Sequence, residues 1–224
     1  LIQLLKFVDF SSFINSLKQQ FELELPGELA QFKMAPLGRP PKELAVHFAK
    51  KVKQSAVLIL LYPDNGEIKT VLMERNSYNG VHSKQISFPG GKTEPEDTSA
   101  AAAALREFEE EVGVERSQIT IVGELTELFI PPSGFLVNPF VGYTDKKPKF
   151  TPDNQEVKSL LFTSLDSLLD DKNKMESKVV ASGKLNITTP SIICEGHVIW
   201  GATAMMISEF EEIITATKKH LSHA

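Results

Sequence analysis

Cysteine is almost missing from this 224-residue chain, and Cys194 stands alone. A single thiol cannot close an internal disulfide, so nothing in the sequence demands an oxidising compartment. Long hydrophobic runs are missing too. The longest clean one, Ala56–Tyr62, has seven residues, against about 20 for a bilayer-spanning helix. Nor is there a basic excess, since 24 Lys and Arg face 29 Asp and Glu, a formal net charge of −5. A dedicated nucleic-acid binder would carry a basic stripe for phosphates, so that class is set aside. Leu1–Val8 are apolar but lack a basic leader and a small-residue cleavage site, which argues against a secretory signal. The chain opens on Leu1 rather than Met, which suggests that the native start is omitted or replaced. With no targeting signal, the default expectation is a cytoplasmic location.

What is present is ordinary in bulk and specific in pattern. Apolar residues make up 42% and charged residues 24%, as in soluble globular proteins. A chain of this length buries about 70–75% of its unfolded surface, enough for one core plus an appendage. Phe10, Phe13, Ile14, Leu17 and Phe21 recur at spacings of three and four. This predicts an amphipathic helix over Asp9–Leu25, capped by Asp9 or Ser11 and stopped by Pro26-Gly27. Met34–Lys42, with Pro36, Gly38, Pro40 and Pro41, reads as an extended linker. Ala56–Tyr62 suits a strand covered on both faces, Asp64-Asn65-Gly66 a turn, and Thr70–Glu74 the returning strand. A short strand at Gln85–Phe88 is expected to stop at Pro89-Gly90-Gly91, and a helix to run from Thr98 to Val112 with Gly113 ending it. Further strands are expected at Ile119–Leu125, Leu136–Tyr143 and Val157–Phe162, and a short helix at Thr163–Leu169 capped by Thr163. A hairpin is expected over Lys178–Asn186 and Ser191–Trp200, then a terminal amphipathic helix from Ala202 to about Lys218. No repeat is visible. The reading is one mixed α/β (α+β) domain over residues 34–224, with a helical extension over residues 1–33.

One segment contradicts its own stability. In Arg106-Glu107-Phe108-Glu109-Glu110-Glu111-Val112-Gly113, Glu107, Glu110 and Glu111 stand at i, i+3 and i+4, which puts them on one helical face. Four acids crowd the last turn, where the helix dipole penalises anions by about 0.3–1 kcal/mol each. The alanines of Ala100–Ala104 keep the helix intact despite this end. A bound cation resolves the conflict, and oxygen ligands select Mg²⁺ or Mn²⁺ before zinc. An isolated acidic run is better read as a solvated face. Here, however, a strand end and the glycine turn Phe88-Pro89-Gly90-Gly91-Lys92 precede the helix, and together they make a specific combination.

Gly91 through Val114 resembles the Nudix box: Gly, five residues, Glu, seven residues, then Arg-Glu-apolar-x-Glu-Glu-x-Gly-apolar. Arg106, Glu107, Phe108, Glu110, Glu111, Gly113 and Val114 match its second half. The first half departs. Fourteen residues separate Gly91 from Arg106 instead of thirteen, and Thr98 stands where the pattern has Glu, so Glu96 or Asp97 is expected to take its place through a one-residue bulge. The flanking segments Leu72–Ser77, His82–Gly91, Ile130–Phe135, Asn138–Tyr143 and Ile199–Met206 resemble the coenzyme A pyrophosphatase branch, except that Lys84 stands where Gly is usual.

The resemblance implies a Nudix-like mixed sheet sandwiched between helices. It also implies a Mg²⁺- or Mn²⁺-dependent hydrolase that splits coenzyme A or a derivative into 3′,5′-ADP and 4′-phosphopantetheine. Glu107 and Glu111 are the first choice as metal ligands, with Glu110 completing the site or bridging to a second ion. The base is a glutamate of the box or Glu156, which otherwise simply starts an edge strand. Arg75, His82, Gln85, Gly90, Gly91 and Lys92 are the candidate substrate contacts. Arg75 alternatively faces solvent, and His82 alternatively caps its loop. Trp200 and the Met205-Met206 pair are read as packing residues, Cys194 as a small buried hydrophobe. The expected partner is a small nucleoside diphosphate derivative; no nucleic acid or membrane partner is expected, and a homodimer is the one assembly left open. Other readings keep the fold and change the substrate to ADP-ribose, a dinucleotide or a nucleoside triphosphate, or leave a non-catalytic binding module.

Overall fold

The computed structural model describes residues 9–76, 85–181 and 185–223. Three helices open the chain: α1 Phe10–Phe21, α2 Gly27–Phe32 and α3 Lys42–His47. Asp9 caps α1 by accepting from the Ser12 amide, and the helix ends at Phe21 rather than running to Leu25. Strands β1 Lys53–Asp64 and β2 Glu67–Arg75 follow, joined at Asn65 and Gly66, both at positive φ. Next come β3 Ile86–Ser87, β4 Gly90–Lys92, α4 Ala100–Val112, β5 Thr120–Glu124, β6 Leu128–Ile130, β7 Phe135–Tyr143, β8 Val157–Ser164 and α5 Leu165–Leu168. The chain finishes with β9 Lys174–Ala181, β10 Leu185–Cys194, β11 His197–Trp200 and α6 Gly201–His223.

The main sheet is mixed. Its path is β3-β2-β1-β7-β5, with β4 also on β1, β6 on β7 and β8 on β2. β1 and β7 run parallel from Lys53↔Phe135 to Leu61↔Tyr143, while the other pairings are antiparallel. Side chains alternate along β1 and split the core in two. Ala56, Leu58, Leu60 and Tyr62 pack with Ala103, Ala104, Phe108 and Val112 of α4. Ile59 and Leu61 face the other way, toward Phe13, Ile14 and Leu17 of α1 and Met205, Ile207 and Phe210 of α6. The sheet therefore lies between helices, as expected. Phe13, Ile14 and Leu17 of α1 belong to this core, and Phe10 and Phe21 pack against it half-buried.

Three local expectations are corrected. β3 stops before Pro89-Gly90-Gly91, as expected, but the glycine turn is not a turn: Gly90–Lys92 pairs with Ser55–Val57 of β1 as a strand in its own right. Thr163 belongs to β8, and the cap of the short helix is Ser164, whose hydroxyl accepts from Ser167. The expected hairpin is a three-stranded sheet, β11-β10-β9. The turn between β10 and β11, at Glu195 (φ 47°) and Gly196 (φ 77°), falls inside the segment expected to be continuous. No helix among the described residues is long and apolar enough to cross a membrane.

Candidate active site

Helix α4 starts at the Ser99 hydroxyl, which accepts from the Ala102 amide at 3.1 Å, and stops at Gly113 in the left-handed conformation. Its buried face holds Ala103, Ala104, Phe108 and Val112 against β1. That packing fixes the rotation of the helix and turns Glu107 and Glu111 toward β4. Glu111 is only 2% exposed. Its Oε2 accepts from the Gly90 amide at 2.7 Å, and its Oε1 lies 3.1 Å from Arg75 Nη2. That second contact is ionic but poorly aligned, and Oε1 accepts no hydrogen bond. Arg75 also donates from Nη1 to the Gly90 carbonyl at 3.3 Å. Burial outweighs Arg75 and the Gly90 amide and pushes the Glu111 carboxyl up to about 7, with Glu107 and Glu156 adding repulsion.

Glu107 lies one turn earlier. A Cβ at Gly91 would run into its carboxylate, and one at Gly90 (φ 150°) would strike the Ala56 carbonyl and Val57. The glycines are needed here because β4 is squeezed between β1 and two carboxylates. Burial raises the Glu107 carboxyl above its ordinary range, Arg106 opposes this, and Glu110 and Glu156 add to it.

Arg106 gathers the remaining charge. It grips Asp97 in a fork, Nε to Oδ1 and Nη2 to Oδ2, both 3.0 Å. Nη1 donates to Glu107 and to Glu110, both at 3.0 Å, and Nη2 to the Lys92 carbonyl at 3.1 Å. Of the two acids expected to replace the box glutamate, Asp97 takes the position. Its carboxylate is held below the usual range chiefly by Arg106.

Glu110 is half exposed and leans onto Arg106, while Glu156 is exposed in the loop before β8. Among the described residues no three His, Cys, Asp or Glu side chains converge on one point as a ready metal cage. What stands ready is a pair, Glu107 and Glu111, which repel one another and are short of positive charge. The buried, unaligned oxygen of Glu111 fits a hard cation, and Mg²⁺ is held by one or two carboxylates plus substrate phosphates rather than by an all-protein cage. The residues present fit Mg²⁺ or Mn²⁺ in that sense.

Beside this pair lies a cavity of about 650 Å³. Arg75, Gln85, Gly90, Gly91 and Lys92 line it, so five of the expected substrate contacts share one wall. His82 lies outside the described residues. The opposite wall comes from residues 36–40 and 130–132, and from Phe135, Ile187, Trp200 and Met206. Trp200 and Met206 are therefore cavity residues as well as packing residues, and Met205 is wholly in the core. The linker Met34–Lys42 is likewise part of the wall, which a reading based only on its prolines missed.

Residues 52–182 match the NUDIX domain family. The chain belongs to the Nudix family. Over 208 residues this Nudix chain is 29% identical to the uncharacterized Nudix hydrolase NudL of Yersinia pestis, covering 92% of this chain and 94% of that protein. Over 180 residues it is 32% identical to the mitochondrial Nudix hydrolase 15 of Arabidopsis thaliana, covering 78% of this chain. It spans 61% of that plant protein's length and 53% of the chloroplastic Nudix hydrolase 22. A MutT/nudix family protein from Enterococcus faecalis superposes with a TM-score of 0.51 at 15% identity, covering 93% of this chain and 76% of that one. That likeness speaks for the fold.

Proposed function

We propose that this Nudix chain is a Mg²⁺- or Mn²⁺-dependent pyrophosphohydrolase acting on coenzyme A or its derivatives, giving 3′,5′-ADP and 4′-phosphopantetheine. The observation that carries the reading is the placement of two under-neutralised carboxylates, Glu107 and Glu111, directly behind a glycine strand that walls a cation-lined cavity. The names of its relatives support a hydrolase. The flanking segments that resemble the coenzyme A branch support the substrate.

Glu107 and Glu111 would hold the ion, with Glu110 reaching it on release from Arg106. When bound, the ion supplies the positive charge that screens a diphosphate and polarises phosphorus. The chain's own residues do the rest. Gly90 and Gly91, lacking side chains, let the diphosphate approach the strand. Arg75 and Lys92 offer donors to its oxygens. Glu156, whose charge acts on both box carboxylates, would take a proton from the attacking water. Arg106, fixed by Asp97, holds Glu107 in place.

The test is a product assay over coenzyme A, acyl-coenzyme A, ADP-ribose, dinucleotides and nucleoside triphosphates, with each metal in turn. The expected result is 3′,5′-ADP from the coenzyme A compounds. Fast turnover of another diphosphate with no 3′,5′-ADP would sink the substrate assignment. Glu111→Gln should abolish turnover while the fold stays intact.

A further inference from the structure

Among the described residues, the charged ones on the cavity wall are Arg39, Arg75 and Lys92, all cations. Arg75 lies against Glu111 and Lys92 belongs to the glycine strand, and both are assigned above to the diphosphate. Arg39 belongs to neither. It sits in the proline-rich segment opposite, where its amide closes a turn onto the Pro36 carbonyl at 3.1 Å and Pro40-Pro41 stiffen the following chain. Its guanidinium donates through Nη2 to the Phe129 carbonyl. Among the described residues no carboxylate lies within ion-pair distance of it. Glu28, the acid that acts on it from further away, accepts from the Lys42 amide at 2.6 Å.

A guanidinium offers five donors; among the described residues the Phe129 carbonyl is the one acceptor this side chain meets, and Arg39 lines the cavity. The side chain is half-buried; burial disfavours its charge, and a partly buried cation without an anion is costly. A leucine or methionine would complete this otherwise apolar wall at no electrostatic cost.

We propose that Arg39 is a specificity-determining contact that reads a phosphate monoester on the substrate, remote from the diphosphate being cleaved. The planar fork matches two phosphate oxygens at once. The inference rests on the cavity being the substrate site, as proposed above, and adds which second group of the substrate is recognised. In coenzyme A that group is the 3′-phosphate of the adenosine.

The experiment compares wild type, Arg39→Gln and Arg39→Lys on coenzyme A and on 3′-dephospho-coenzyme A. For Arg39→Gln the expected change is a rise of about ten- to hundredfold in KM for coenzyme A, with kcat within about twofold and dephospho-coenzyme A nearly unaffected. Lys should recover part of the loss. An equal loss on both substrates, or none on either, overturns the proposal. A binding arm separates it from the hydrolase reading: metal-free wild type and Arg39→Gln are melted with 3′,5′-ADP and with 5′-AMP. Wild type should gain more from 3′,5′-ADP, and the variant should gain equally from both. If wild type cleaves no coenzyme A compound yet shows this difference, the substrate assignment fails and the phosphate contact stands. Identical shifts in wild type and variant overturn the contact.

Discussion

The buried glutamate makes a prediction opposite in sign to ordinary acid denaturation. Glu111 holds its proton up to about pH 7 in the folded, metal-free protein, against 4.5 for an unstrained glutamate. Between those values the folded state binds more protons than the unfolded state, so stability falls as pH rises through the window and levels off above 7. At about 1.4 kcal/mol per tenfold change in proton affinity the full difference is about 3 kcal/mol, or about 6–12 °C in melting temperature for a chain of this size. The carboxylates held low by partners, Asp97 and Glu74, act in the other direction, but only as pH falls below about 4. Metal-free protein should therefore melt higher at pH 5.5 than at pH 8. Glu111→Gln, which removes the more strongly raised of the two buried carboxyls, should shrink the difference between those pH values to what Glu107 contributes. Mg²⁺ binds the ionised form, so at a hundredfold excess over its Kd it should return about 2.7 kcal/mol at pH 8 and little at pH 5.5. Differential scanning calorimetry with chelator and with Mg²⁺ measures both effects. If wild type and Glu111→Gln share the same pH profile, or Mg²⁺ stabilises the two equally, the electrostatic account of this site is wrong.

Asp97→Asn should weaken the fork on Arg106, costing about 1–3 kcal/mol and lowering kcat more than it raises KM, with Asp97→Glu restoring much of both; chemical denaturation and steady-state kinetics measure these. Gly91→Ala places a methyl group against the Glu107 carboxylate, so hydrolysis and Mg²⁺ stabilisation should fall together, and an active variant with normal metal response would show that Glu107 is not held where it matters. Glu156→Gln should lower kcat by about 10²–10⁴ and leave the melting temperature within about 2 °C, since the side chain is exposed. Glu209, buried in α6, accepts from the amides of Gly27 and Thr126 and from Gln31 Nε2 at 2.8–3.2 Å. Glu209→Ala should cost about 2–4 kcal/mol and speed amide exchange at α2, as read by hydrogen–deuterium exchange.

The elements that could be read from the sequence are those whose local chemistry agrees with their packing. α1 carries its stripe and its Asp9 cap, β1 its apolar run on both faces, and α4 its alanines and Gly113. The misreadings come where long-range pairing overrules a local signal. Pro-Gly-Gly is a turn by composition, yet Gly90–Lys92 finds the edge of β1 and becomes a strand. Residues 195–196 turn in a segment whose apolar character suggested continuity, and β6, with three residues, is too short to carry a period. Likewise the pairing of Asp97 with Arg106 was visible only as a spacing one residue too long, which named two acids and could not choose between them. Arg39 and the cavity wall formed by residues 36–40 left no periodic trace at all, because a loop's contribution to a cavity depends on what it folds against.

The acidic end of α4 shows how local conflict and function separate once the side chains are placed. Of its four carboxylates, Glu109 is paired with Arg116 at 3.3 Å and Glu110 with Arg106, both near the surface, where such pairs cost and contribute little. The last carbonyls of the helix also find partners, since Glu111 and Val112 accept from the amides of Asp153 and Thr151. Those contacts remove the penalties that made the segment look strained. They leave two acids unrelieved: Glu107, which burial raises despite Arg106, and Glu111, which burial raises despite Arg75. A solvated acidic face would have shed its repulsion by turning outward, but Phe108 and Val112 anchor the helix so that these two carboxylates cannot. The conflict that survives folding is therefore confined to the pair that touches the glycine strand, and a cation is the simplest species that can end it.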